Sequence, residues 1–337
     1  MIIGLIIILL FVLFLPFTKF VEKNLEVFLF IMGVASVIVS QVFTKDLLIE
    51  ALTHPINITI AVLVAGLLFR WFQGPIENAI MGIKQAMPFR LFIALFVIVL
   101  GLISSIITAI IAAIILVSVL SVLQLEKKTE RSIVIIACYA IGMGAALTPI
   151  GEPLSTIVTG NLNEEFFYLF KLLGIYIIPG VIIFGLLAAF ISKPGKDDIQ
   201  KEERETETES YGEIIFRSLK IYLFVMALTF LGAGFQPFIE RFLLDLNPLF
   251  LYWINMLSAI LDNATLAAAE ISPAMSTVTI RDILLGLIIS GGMLIPGNIP
   301  NIIAAGKLNI TSKDYARTAI PIGLVVMVLY FIVILIF

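Results

Sequence analysis

The segment from Ser132 to Thr159 limits the possible folds more than any other. It is apolar and rich in small residues up to Leu147, breaks at Thr148-Pro149-Ile150-Gly151-Glu152-Pro153, and is apolar again from Ile157. Proline removes a backbone donor and clashes with the preceding turn, and glycine adds conformational freedom. A helix long enough to cross a bilayer must therefore unwind partway along. Unwound backbone at membrane depth is tolerated only where protein or a water-filled cavity satisfies it. Broken spanning helices of this kind mark substrate sites in secondary transporters. Glu152, an ionisable group inside the break, is a functional candidate on that ground. The competing reading is a proline-kinked span whose Glu152 faces a loop.

Composition sets the medium. The chain has 337 residues, 61% hydrophobic and 13% charged, with a mean hydropathy of +1.13. Soluble domains are about half apolar and about a quarter charged, so an integral membrane protein is expected. Cys138 and His54 are the single cysteine and the single histidine. That excludes a disulfide framework, a cysteine metal site and a His-Glu-x-x-His zinc motif. Gly142-Met143-Gly144 is followed by Ala145 where a Gly-x-Gly-Asp intramembrane protease needs a carboxylate. No enzyme, cofactor or nucleic-acid partner is expected; the partner is the lipid bilayer. Met1–Phe17 lacks a basic start and a small-residue cleavage site, and reads as a retained span.

Spans of roughly 20 apolar residues fall at Ile2–Phe17, Leu25–Phe43 and Ile56–Phe72, with His54-Pro55 ending a connecting stretch. Gln73–Met87 reads as a short amphipathic surface helix. Phe89–Leu123 is about twice a normal span in length, with Gly101, Ser104, Ser105 and Thr108 near its middle. It is either two full spans or a re-entrant hairpin. The polar stretch Glu126–Arg131 leads into the broken span, and Phe166–Ile191 follows. Ser192–Gly212 is rich in both charge signs and reads as a flexible linker. Ile214–Gly234 and Gln236–Asn247 come next. Leu249–Met275 carries Asp262-Asn263-Ala264-Thr265 near its middle, and Arg281-Asp282 interrupts. A second break, Pro296-Gly297-Asn298-Ile299-Pro300-Asn301, precedes the last span, Ala319–Phe337.

The two halves repeat. Leu102–Ala109 aligns with Met256–Asn263 at an offset of 154, and Gly151-Glu152, Gly160, Leu162 and Asn163 align with Gly297-Asn298, Gly306, Leu308 and Asn309 at an offset of 146. If Phe89–Leu123 and Leu249–Met275 each enter and leave on one side, 17 of the 21 basic residues fall on one face, which is then cytoplasmic. Only Lys45, Lys171, Arg241 and Arg281 fall on the other. Each repeat has three crossings, an odd number, so the second is inverted.

The expected fold is an all-α polytopic membrane protein with two inverted-topology repeats. Residues 1–55 hold two N-terminal spans. Residues 56–191 form the first repeat, with hairpin 89–123 and broken helix 132–160. Residues 192–212 are a cytoplasmic linker. Residues 213–337 form the second repeat, with hairpin 248–279 and broken helix 282–306. Both termini are expected outside a prokaryotic cell membrane.

Four elements should converge: the two hairpin middles and the two breaks. They supply Ser104, Ser105, Thr108, Glu152, Ser155, Thr156, Ser258, Asp262, Asn263, Thr265, Asn298 and Asn301. Pro149, Gly151, Pro153, Pro296, Gly297 and Pro300 break the helices. The donors are mostly hard oxygens, suited to an alkali cation or a proton relay. Glu152, Asp262 and Glu270 are the carboxylates well inside apolar segments. Desolvation favours a proton on such a group, a bound cation reverses that preference, and competition between the two is the minimal physics of antiport. Asp262-Asn263 also suits a plain helix cap. Glu270, next to Ser272-Pro273, also suits the outer interface.

At these residues the chain resembles the ion transporter superfamily, in particular the arsenical-pump and NhaD-type sodium/proton antiporter branch and its small prokaryotic predicted cation transporters. Ser258–Thr265 is similar to that branch's Ser…Asp-Asn-x-x-Thr hairpin. Gly297-Asn298-Ile299-Pro300-Asn301 is similar to its Gly-Thr-Pro-Pro-Asn break, and Thr148–Pro153 to its Thr-Pro-Ile-Gly-Thr-Pro form. The resemblance covers about residues 56–337. It implies re-entrant hairpins, a homodimer and elevator-like exchange. Two departures stand out: Thr108-Ala109 lacks the expected Asp or Asn, and Glu152 replaces a neutral residue. The expected activity is exchange of sodium, or another monovalent cation, for protons, with sodium held at Glu152, Asp262 and Asn263. The alternative is a sodium-coupled symporter of a dicarboxylate or oxyanion, which lacks a basic group near the breaks.

Overall fold

The computed structural model describes the chain apart from residues 23, 124, 193–209, 243–245, 261–262, 272, 274 and 337. Among the described residues every regular element is helical. The first half runs α1 (Ile2–Phe14), a 3-10 turn (Leu15–Phe17), α2 (Lys19–Glu22), α3 (Leu25–Ser40), α4 (Lys45–Ala86), α5 (Phe89–Ile107), α6 (Ala109–Leu123), α7 (Lys127–Ala145), α8 (Pro153–Leu162) and α9 (Tyr168–Ile191). The second runs α10 (Tyr211–Phe242), α11 (Pro248–Ile254), a 3-10 turn (Asn255–Ala259), α12 (Asn263–Glu270), α13 (Thr277–Ser290), a 3-10 turn (Ile295–Gly297), α14 (Ile299–Leu308) and α15 (Ser312–Ile336). α5, α9, the Tyr211–Phe238 part of α10, and α15 are long and apolar enough to cross a membrane. That fits the membrane protein the composition calls for.

Three boundaries differ from the sequence reading. α4 begins at Lys45, where Thr44 caps it by accepting from the Leu47 amide at 3.1 Å, so His54-Pro55 lies inside a helix rather than in a connection. Its kink falls at Phe72 (φ −105°, ψ 15°), three residues before Pro75, whose ring crowds the preceding turn. α10 runs continuously through Gly234-Phe235. Arg281 and Asp282 do not interrupt; both are buried in α13. The Arg281 Nε donates to Asp282 Oδ1 at 2.8 Å and its Nη1 to the Tyr176 hydroxyl at 2.9 Å. A paired, hydrogen-bonded guanidinium is tolerated inside where a lone one is not.

α10 packs against α3 and α4, with Val37, Leu47, Ala51, Met226 and Phe230 filling the seam. α5, α7 and α9 pack on one another, and α13 packs on α11, the Asn255–Ala259 turn and α15. The two sets are joined crosswise: α6 lies on α14, and α12 lies on α8. Thus the second member of each helix pair rests on the second half of the other half's broken helix.

Polar contacts tie helix residues that charge counting places on one face. Arg131 pairs with Asp314 at 2.8 Å, and Lys220 with Glu26 at 2.8 Å. The Trp71 indole donates to the Tyr211 hydroxyl at 3.3 Å, beneath the Arg70 guanidinium.

Candidate functional site

The first break lies between Ala145, the end of α7, and Pro153, the start of α8. Proline suits that first position because its missing N–H would be an orphan there. The α5–α6 turn is stitched to this break. The Thr148 hydroxyl donates to the Ser105 carbonyl, and the Ala109 amide to the Gly151 carbonyl at 2.8 Å. The Ser104 hydroxyl donates to the carbonyls of Gly101 at 2.6 Å and Ile141 at 3.0 Å. A Cβ on Gly144 would sit 1.8 Å from the Gly101 carbonyl oxygen, so α5 and α7 meet at bare backbone. Thr108, with φ 77°, turns the chain between α5 and α6. Ser155 donates to the Ala146 carbonyl at 3.1 Å, and Thr156 to that of Pro149. Glu152 is the buried N-cap residue of α8, with extended backbone (φ −155°, ψ 161°).

The second break lies between Ser290, the end of α13, and Ile299, the start of α14. Asn298 is its N-cap residue, with nearly the same backbone (φ −157°, ψ 164°), and its Oδ1 accepts from the Asn301 amide at 3.3 Å. The Ser258 hydroxyl donates to the Leu287 carbonyl at 3.2 Å and lies 2.6 Å from the Ser290 hydroxyl. Ser290 in turn reaches the Asn255 carbonyl at 2.7 Å. Asn301 Nδ2 donates to the carbonyls of Gly291 and Leu294, both at 2.9 Å. Its buried Oδ1 has no hydrogen-bond partner. Asn263 is buried, its Nδ2 lying 3.5 Å from where a Cβ on Gly291 would be. α8 and α14 both end on a left-handed asparagine, Asn163 (φ 53°) and Asn309 (φ 51°).

The contacts correspond as well as the sequences do. The offsets of 154 and 146 carry Ser104 onto Ser258 and Ile141 onto Leu287, and each serine bonds its matched carbonyl. They carry Gly101 onto Asn255 and Gly144 onto Ser290, again a contacting pair in both halves. A Cβ on Gly151 would lie 1.9 Å from the Ala145 carbonyl oxygen, and one on Gly297 would lie 2.3 Å from that of Gly291.

Two contacts set the second break against α7: Asn298 Nδ2 lies 2.7 Å from where a Cβ on Gly142 would be, and the Cys138 thiol faces the Pro300 carbonyl at 3.6 Å. The packing of α8 on α12 brings the helix that Glu152 caps alongside the helix that Asn263 begins. Asp262 and the Thr265 side chain lie outside the described residues. Among the described residues no three His, Cys, Asp or Glu side chains gather as metal ligands. The hydroxyls of Ser104, Ser105, Ser155, Thr156 and Ser258 commit their hydrogens to backbone carbonyls and brace the breaks; their lone pairs remain as acceptors. Thr108 Oγ1 accepts from the Ile111 amide at 3.4 Å. Asn255 and Ser290 escape the sequence reading, although the 154 and 146 offsets pair them with the close-approach glycines Gly101 and Gly144.

The field at the breaks is set by four helix ends. α7 and α13 bring carbonyl ends, which favour cations, and α8 and α14 bring amide ends, which favour anions. At α8 the N-cap position is already a carboxylate, and at α14 the Asn298 side chain serves the amide end.

A family model described as "Protein of unknown function (DUF1646)" matches residues 2–337. No curated protein matches the chain.

Proposed function

The chain belongs to the DUF1646 family over its whole length, and on that premise we propose that it is a secondary active transporter exchanging sodium, or another monovalent cation, for protons across a prokaryotic cell membrane. The fold reading beneath it is two inverted repeats, each with a re-entrant hairpin (α5–α6, and α11–α12 with the turn between) and a broken helix (α7–α8, α13–α14). The observation that carries the reading is the pairing of the breaks: two N-caps of equal backbone geometry, Glu152 and Asn298, each stitched to a helix pair by a matched serine–carbonyl bond. The crosswise packing of α6 on α14 and α12 on α8 supports the inversion. The ion pairs between helices on one charge-counted face support the topology.

The ligands for a cation are Glu152, the unpartnered Asn301 Oδ1, Asn263 and the carbonyl ends of α7 and α13, with Asp262 next in chain to Asn263. Glu152 binds either the cation or a proton, which couples the two movements. The packed pairs α5–α6–α7–α8 and α11–α14 form the moving unit, and α3, α4 and α10 the frame, in an elevator-like exchange within a homodimer. Anion symport is disfavoured because a carboxylate already occupies the N-cap position of α8, where an anion would bind.

The test is purified protein in liposomes with an internal pH dye. Adding sodium, lithium or potassium salts should move protons, with sodium the strongest, and Glu152→Gln and Asp262→Asn should each abolish the response. Cation-driven proton movement that survives both substitutions sinks the assignment, and sodium-driven anion uptake without proton movement replaces it with symport.

A further inference from the structure

Glu270 ends α12 and is only 1% exposed. Neither of its carboxylate oxygens has a hydrogen-bond partner. The polar side chain set against it is the Asn255 amide, itself fully buried, with Nδ2 3.5 Å from the Ile283 carbonyl and Oδ1 unpartnered. Three buried acceptor oxygens thus belong to two side chains that face each other. The charged side chains described on the elements packed against α12 are Glu152 at α8, Glu213, Lys220 and Arg241 on α10, and Arg281 and Asp282 on α13. Lys220 is held by Glu26, and Arg281 by Asp282 and Tyr176. None of these cations bonds Glu270.

The fold does not require a carboxylate here. The 154 offset carries Glu270 onto Leu116, which is buried and apolar, and Asn255 onto Gly101. The first half closes the same junction without polar side chains. Burying an ionised carboxylate with no cation costs several kcal/mol, so the group must be neutralised by something that binds.

We propose that Glu270 and Asn255 form a proton-binding site in the second helix pair, distinct from the cation ligands at the two breaks. Glu270 holds the proton as a carboxylic acid, and release leaves the carboxylate against the Asn255 amide. The Asn255 carbonyl accepts from Ser290, and Ser290 lies 2.6 Å from the hydroxyl of Ser258, five residues before Asn263. The Ser290 and Ser258 hydroxyls give their hydrogens to backbone carbonyls, so they tie the backbone of the site to the second break. This deepens the antiport reading and rests on it for its role, but the site itself is testable alone.

Infrared difference spectra of the full-length reconstituted protein, between acidic and alkaline buffer without sodium, read the C=O stretch of a protonated carboxylic acid. Wild type should show a band that is lost in Glu270→Gln and shifted in Asn255→Ala. Glu270→Leu, which copies Leu116, serves if the glutamine variant fails to fold. No band that depends on Glu270 overturns the site. In weakly buffered solution, sodium should release protons from wild type and fewer from Glu270→Gln; equal release from the two overturns the site's place in coupling. If no cation releases protons from wild type while the Glu270 band titrates, the antiport reading fails and the proton site stands.

Discussion

The side-chain nitrogen of Asn298 lies 2.7 Å from the place a Cβ on Gly142 would occupy. The second break therefore leans on bare backbone of α7, and the two halves touch through a residue that only glycine leaves room for. Gly142→Ala should force Asn298 aside and cost about 1–3 kcal/mol, the usual price of overpacking. Asn298→Ser keeps an N-cap oxygen and withdraws the amide, so Gly142→Ala should be nearly harmless in that background. Thermal unfolding in detergent measures the four corners of the cycle. Equal loss with and without Asn298 would mean the methyl meets something else.

Ser104 and Ser258 offer a second comparison. Each donates to a carbonyl of the broken helix in its own half, at 3.0 Å and 3.2 Å. Replacing either by alanine should lower stability by about 0.5–1.5 kcal/mol, the net worth of a hydrogen bond. Similar losses support the repeat. A cost at one serine and none at the other argues that the likeness is geometric only.

Both breaks are legible in the sequence because proline and glycine act on the backbone itself. The matched spacing from Gly151 to Asn163 and from Gly297 to Asn309 reappears in two ten-residue half-helices with left-handed asparagine ends. What is not legible depends on neighbours far along the chain. Pro55 stays inside α4, where the Tyr222 hydroxyl from α10 takes the nearby Leu52 carbonyl at 2.8 Å. Arg281-Asp282 looks like a loop until Tyr176, 105 residues away, supplies the partner that lets the pair stay inside. Hydroxyl positions are legible, but the direction of their donors is not. Ser104 and Ser258 read as ligands in sequence; in space their hydroxyl hydrogens brace the breaks and their lone pairs stay open.

Cys138 is buried on α7 and is the only cysteine, so the chain offers a quiet background for labelling. In intact, outward-facing vesicles, wild type should not react with an impermeant maleimide. Cysteines at Lys127 and Lys313 should react only from the cytoplasmic side, and one at Lys171 only from outside. Cysteines replacing Arg131 and Asp314, whose side-chain tips pair at 2.8 Å, should be bridged by a short bis-maleimide added from the cytoplasmic side. Lys127 and Lys171 labelling from the same side would overturn the charge-counted topology.

Glu152 and Asn298 occupy matched N-caps with almost identical backbone angles, yet one is a carboxylate and the other an amide. Glu152→Asn makes the two ends chemically alike and separates fold from function. Asparagine is a strong N-cap, worth up to about 1 kcal/mol over a residue that does not cap, and Glu152 makes no cap hydrogen bond to α8. The variant should therefore fold at least as well as wild type. It should also lose cation-dependent proton movement, since the group that alternates between proton and cation is gone. Glu152→Asp keeps the charge on a shorter arm and should retain partial exchange with weaker cation affinity. Full exchange by Glu152→Asn would reduce Glu152 to a helix-end residue and move the coupling to the second half alone.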